Sequence, residues 1–147
     1  MTRDSRPNPS SDLTRTEDYL EAVYDLVRTK GYARPSDIAE KLDVKSPSVT
    51  NMLQRLHGMG LIVYERYRGL TLTTKGEEIA RFSKQKHTTI TEFLQTLGVP
   101  EKIAKSDAEG IEHHVHKNTI RQMRHFVDYV NKHPAWFKAF EDADIKN

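Results

Sequence analysis

Near the C-terminal third of the chain, Glu109, Glu112 and His113 stand at positions i, i+3 and i+4. On a helix that spacing brings two carboxylates and an imidazole to one side, one turn apart. Three oxygen and nitrogen donors converging there can bind a divalent cation. A salt-bridged surface patch is the rival reading, and these residues alone leave both open. Other donors stand elsewhere: Asp18 and Glu21 lie i, i+3 on a first helix, away from Leu20 and Val27, and His87 adjoins the apolar stripe of a long helix. Taken singly, each has a plainer explanation. Asp18, Glu21 and Asp25 also read as a solvated acidic stripe in the early turns of a helix, where the dipole favours them. The chain has no cysteine. Disulfides, thiolate zinc sites and iron–sulfur clusters are therefore excluded, and any metal must be held by oxygen and imidazole.

A second constellation suits nucleic acid. Ser46, Ser48, Thr50, Asn51, Gln54 and Arg55 alternate with Val49, Met52, Leu53 and Leu56, so one helix face is polar and the other apolar. Asn and Gln match adenine edges and Arg matches guanine. Arg66 and Arg68 fall at the tip of a hairpin signal, where a charge can reach phosphate or the minor groove. Arg34 and Pro47 complete the candidate DNA-contacting set. The overall net charge is only +2. From Val44 to Lys75, however, five basic side chains face one acidic, a local net of +4. A solvated polar face is the bland alternative for one helix alone; the order of the elements around it decides.

Those elements read as follows. Thr14-Arg15-Thr16-Glu17 has the form of a capping box, opening an amphipathic run with Leu20, Val23, Leu26 and Val27 on one face and Gly31 at its end. Pro35 starts a short helix with Ile38, Ala39 and Leu42 inward. After the turn Asp43-Val44-Lys45, Ser46 reads as an N-cap and Pro47 as the first helical residue of a helix to about His57. Leu61–Arg66 and Leu70–Thr73 flank Tyr67-Arg68-Gly69 as a hairpin. Thr74-Lys75-Gly76-Glu77 is a second capping box, beginning a long helix closed by Gly98. Further helices are expected from Glu101 to about His116, from Asn118 to Lys132, and over Ala135–Glu141. The fold class is mainly α with a small β wing: an N-terminal winged helix-turn-helix followed by an all-helical dimerisation domain. Residues 1–12 are expected as a disordered arm, 13–75 as the DNA-binding domain and 76–147 as the metal-binding and dimerising part. Charged residues make up 30% of the chain and mean hydropathy is −0.73, with neither an apolar secretion segment nor a spanning run. The expected compartment is the cytoplasm, with no membrane partner.

Glu17-Asp18-Tyr19-Leu20-Glu21, Gly31-Tyr32-Ala33-Arg34, Ser36-Asp37-Ile38-Ala39, Tyr67-Arg68-Gly69, Leu72-Thr73 and Asp107–His114 together resemble the diphtheria-toxin-repressor family. Within it they resemble the manganese transport regulator branch, over about Thr14 to Lys132. The resemblance implies metal ligands at Asp18, Glu21, His87, Glu109, Glu112 and His113. The iron-sensing branch has a methionine where Asp18 stands and a cysteine where Glu109 stands. It also implies Mn2+ as cofactor, one or two ions per subunit, with Fe2+, Zn2+ and Cd2+ as alternative occupants. Manganese lies at the weak end of the Irving–Williams order, so such a site must select it by hard, carboxylate-rich coordination rather than affinity. His57, His114, His116, His125 and His133 read as structural or exposed.

The expected function is a manganese-responsive transcriptional regulator, not an enzyme. A homodimer would present two winged readers to a palindromic double-stranded operator and repress metal-uptake genes when manganese is plentiful. Two other classes fit some of the same residues. A winged-helix regulator could answer to iron or to a small organic effector. A di-metal hydrolase could use the carboxylate–histidine cluster, but the sequence offers neither a nucleophile nor a phosphate-cradling loop.

Overall fold

The computed structural model describes residues 9–65, 67 and 69–143, with side chains from residue 15 onward. The chain divides into two compact units, Met1–Lys84 and Gln85–Asn147. The division falls inside the longest helix, not at its start.

In the first unit, α1 (Pro9–Lys30) turns Tyr19, Leu20, Val23 and Leu26 inward at helical spacing. It begins earlier than its capping box suggested, so Thr14–Glu17 lies inside it and residues 9–12 of the expected arm are helical. Pro9 supplies the reason, since a proline's fixed φ suits a first helical position. Residues 1–8 lie outside the described part. Gly31, at φ +82°, closes the helix by donating its N–H to the Val27 carbonyl at 2.9 Å.

Helix α2 (Pro35–Leu42) buries Ile38, and Asp43 makes the left-handed turn that ends it, at φ +52°. Helix α3 (Ser46–Gly58) buries Val49, Met52, Leu53 and Leu56, the four positions read from periodicity. Its N-cap is Lys45, one residue before the serine assigned to that role, because the extended Lys45 backbone already opens the first turn. Strands β1 (Ile62–Glu65) and β2 (Gly69–Leu72) pair antiparallel, with Ile62 opposite Leu72 and Glu65 opposite Gly69. A bridge from Ala33 to Leu70 ties this wing to the loop before α2. Leu20, Ile38, Leu53, Leu56, Leu61, Ile62 and Leu70 meet in one core with almost no exposed surface. Each such side chain contributes about 1.5–3 kcal/mol of burial.

Helix α4 (Thr74–Thr96) is capped by Thr73, not Thr74. The Thr73 hydroxyl accepts from the Gly76 N–H at 3.1 Å and donates to the Gly60 carbonyl at 2.7 Å. A Cβ at Gly76 would lie 2.0 Å from the Leu61 carbonyl oxygen, so only glycine lets this first turn abut the start of the wing. At the far end Gly98, at φ +102°, donates to Gln95, and the Val99 N–H reaches the Leu94 carbonyl.

In the second unit, α5 (Glu101–Ile111) stops short of the expected His116. Glu112–His114 form a 3-10 turn, and Val115 is already extended. Gly110, a poor helix former, sits just before the break. Helices α6 (Lys117–Lys132) and α7 (Pro134–Glu141) follow. Ile90, Ala108 and Ile120 form the centre, with Leu94, Val115 and Met123 against them. Arg124 of α6 donates to Glu92 at 2.7 Å and to the Thr89 hydroxyl at 3.0 Å, fixing α6 on this part of α4. Phe137 of α7 meets Phe126 edge-on, and Tyr129 stacks on His133 at 4.1 Å while meeting Trp136 edge-on at 5.3 Å. Among the described residues no helix is long and apolar enough to cross a membrane.

Candidate metal centre and nucleic-acid face

Asp18, Glu21 and Asp25 follow one another along a single face of α1. Asp18 is exposed, whereas Glu21 and Asp25 are half-buried. All three line a cleft of about 240 Å³ with Lys41 and Leu42 of α2. From α4, the Ser83 hydroxyl donates to Glu21 Oε1 and also reaches Glu17 Oε2 at 3.5 Å. Burial pushes the Glu21 pKa above the usual carboxylate range; the Ser83 hydrogen bond opposes that rise and the Asp18 charge adds to it. Asp25 is engaged differently. Its Oδ1 accepts from Lys84 Nζ at 2.5 Å and its Oδ2 faces Lys41 Nζ at 3.9 Å.

In the second unit the centre is Glu112, whose residue is only 8% exposed. His87 Nδ1 lies 2.9 Å from Glu112 Oε2, and His113 Nε2 lies 3.7 Å from Glu112 Oε1. One carboxylate is thus flanked by two imidazoles. Buried Lys86 donates to the Glu112 backbone carbonyl at 3.3 Å, so neighbouring residues of α4 hold both the backbone and the side chain of the 3-10 turn. Glu109, on the last turn of α5, is exposed. Glu112 and His113 stand on the 3-10 turn that continues directly from α5. Among the described residues, no three His, Asp or Glu side chains already stand together at ion-holding distances.

The donors nevertheless fit a divalent cation. His113 Nδ1 is buried without a hydrogen-bond partner, a costly condition for an imidazole nitrogen that a ligated ion or a water relieves. The Glu112 carboxylate beside it is a buried oxygen donor. Carboxylates and imidazoles without sulfur suit manganese and also admit zinc. Of the other histidines, His57 Nδ1 lies 3.2 Å from the Ile62 carbonyl, and His114, His116, His125 and His133 are exposed.

Every described member of the candidate DNA set is exposed: Arg34, Ser46, Pro47, Ser48, Thr50, Asn51, Gln54 and Arg55. The Thr50 hydroxyl turns back to the Ser46 carbonyl at 3.1 Å, and the Arg34 guanidinium lies 4.8 Å from the centre of the Tyr32 ring. Arg66 and Arg68 lie outside the described residues. Asp18 and Ser48 share the wall of a second cleft of about 260 Å³ with Arg15, Tyr19, Val44 and Met52. An acidic position of α1 and the start of α3 are therefore close neighbours.

Three residues of α4 had escaped the sequence reading: Ser83 on Glu21, Lys84 on Asp25 and Lys86 on Glu112. The available signal was a polar interruption of an apolar helix. Ser83, Lys86 and Thr89 recur every third residue and are all buried, and buried polar side chains are held by partners.

Comparison with known proteins bears on the same two halves. The profile of the iron dependent repressor N-terminal DNA binding domain matches residues 13–70, and that of the iron dependent repressor metal binding and dimerisation domain matches residues 73–136. The HTH-type transcriptional regulator MntR of Lysinibacillus sphaericus is 44% identical over 141 residues, covering 96% of this chain and 98% of that protein. The manganese regulator SloR is similar in structure, with a TM-score of 0.67 and 30% identity over 78% of this chain and 54% of its own. ScaR, solved with Zn2+ and with Cd2+ bound, gives a TM-score of 0.71 and 28% identity over 84% of this chain and 55% of its own. The chain spans about half the length of those two solved proteins.

Proposed function

Because the chain belongs to the iron dependent repressor family, we propose that it is a manganese-responsive DNA-binding transcriptional regulator that represses metal-uptake genes when the ion is abundant. Residues 13–75 read DNA, and residues 76–147 bind metal and pair two copies in the cytoplasm. Asp18, Glu21, His87, Glu109, Glu112 and His113 supply the donors. Manganese is the intended occupant, one or two ions per subunit, with Fe2+, Zn2+ and Cd2+ able to compete.

The observation that carries this reading is the buried Glu112 carboxylate flanked by His87 and His113, one of whose ring nitrogens is left without a partner. A bound divalent cation supplies a compact double charge that hard oxygen donors satisfy. The chain's own residues do the rest. Lys86 and His87 hold the Glu112 turn in place, and Ser83 orients the Glu21 carboxylate. Asp18 and Glu21 carry like charges one turn apart, so their repulsion opposes the ordered arrangement until it is neutralised. Both belong to the DNA-binding half of the sequence, and Asp18 borders the cleft that Ser48 of the reading helix also lines. A ligand at ~100 times its dissociation constant stabilises the competent form by about 2.7 kcal/mol, roughly a hundredfold in operator affinity.

The direct test titrates the protein onto operator DNA by fluorescence anisotropy, with manganese, iron, zinc or cadmium and with chelator. Manganese is expected to raise affinity and chelator to abolish the gain. Operator binding indifferent to chelator would transfer the switch to an organic effector. Two-fold symmetry in the protected DNA would accompany binding as a dimer.

A further inference from the structure

We infer that Lys84, with Lys41 beside it, withholds the Asp25 carboxylate from a cation at Asp18 and Glu21 and so sets how tightly that cation is held. The inference rests on the metal-binding role proposed above.

Asp18, Glu21 and Asp25 share one face of α1, spaced by three and four residues, and all three line the same cleft. By chemistry alone any of them could ligate. Their partners sort them. Both Asp25 oxygens are engaged by ammonium groups, Lys84 Nζ at 2.5 Å and Lys41 Nζ at 3.9 Å. The Lys84 ammonium is held from another side by the Tyr24 ring, 5.8 Å from its centre. Glu21 instead accepts a neutral hydroxyl, that of Ser83, which adds no competing charge.

The Asp25 carboxylate and the Lys84 ammonium are opposite charges 2.5 Å apart, so each offsets the other's field along the stripe. Remove the ammonium and Asp25 presents its full charge to the stripe, and the carboxylate becomes available as one more oxygen donor. Side-chain exposures of 40% for Lys84 and 32% for Asp25 leave the pair partly screened. A divalent ion nevertheless feels each added charge twice over, and about a tenfold change in affinity is the scale to expect.

The test is calorimetric titration of the full-length protein with manganese chloride alone. Lys84→Met is expected to bind about tenfold more tightly than wild type, and Lys84→Arg, which keeps the charge, like wild type. Asp25→Asn leaves the ammonium unopposed and should weaken binding. In the Asp25→Asn/Lys84→Met double variant, affinity should return close to the wild-type value, because the carboxylate and the ammonium that offsets it are both gone; a gain as large as that of Lys84→Met alone would show that Asp25 is not the group withheld. Manganese affinity in Lys84→Met equal to or below wild type would overturn the inference, even while Glu112→Gln lost binding as the functional reading requires. Wild-type protein that takes up no manganese would overturn that reading itself.

Discussion

At Glu112 two imidazoles compete for one buried carboxylate, and the backbone beneath it is gripped by a buried lysine. Glu112→Gln keeps the shape and removes the charge, so manganese affinity measured by calorimetry should fall at least about 10–100-fold, the cost of disturbing even an outer partner of a metal site. Asp18→Met replaces a hard anionic donor by a thioether. Its expected effect is a weaker manganese response in operator titrations and a relative gain for softer ions; an unchanged preference would remove Asp18 from the ligand set. Glu21 makes a prediction about acidity. Burial raises its folded pKa above the unfolded reference of 4.5. For an acid shifted upward, the associated stability is present below the unfolded value and is lost as pH rises through the folded one. Urea midpoints of the metal-free protein should therefore fall less over that window in Glu21→Gln than in wild type. At this scale the sequence offered the carboxylates and imidazoles as candidates, since their spacing is local. What Ser83, Lys84 and Lys86 do was not legible, because each partner is tens of residues away along the chain.

The elements were read best where their periodicity was long. The inward faces of α1 and α3 came directly from apolar spacing, and Gly31 and Gly98 marked two helix ends correctly. Errors gathered at starts and stops. Thr74 and Thr73 both precede an acceptable helical first turn, and only the contact of Thr73 with Gly60 distinguishes them. Nor could spacing reveal the 3-10 turn after Ile111, because a break of one turn leaves the residue order of a helix intact. Glu112, on that turn, is buried, while Glu109 on the α-helix before it is exposed. Two substitutions test the α4 junction. Thr73→Ala loses a cap and a tie to Gly60, about 1 kcal/mol. Gly76→Ala forces a methyl against the Leu61 carbonyl and should cost about 1–3 kcal/mol as the helix start moves off the wing. Urea unfolding reads both, and a neutral Gly76→Ala would show that this turn adjusts freely.

For the whole molecule, the proposed reading gives the polar face of α3 and the acidic and imidazole residues separable tasks. Arg55→Ala should reduce operator affinity, with about 1–3 kcal/mol lost if it reads a base edge, and leave manganese binding as it was. A parallel loss of both would mean that Arg55 supports the fold. The sequence suggests a basic, winged segment followed by a long amphipathic helix; compactness divides within α4, after Lys84, a point that a continuous helical pattern does not mark. One aromatic detail has practical value here. The chain contains a single tryptophan, and it sits on α7 against the edge of Tyr129, wholly within the second unit. Indole emission is consequently an optical channel for the α6–α7 corner: heat or denaturant that parts Trp136 from Tyr129 alters it.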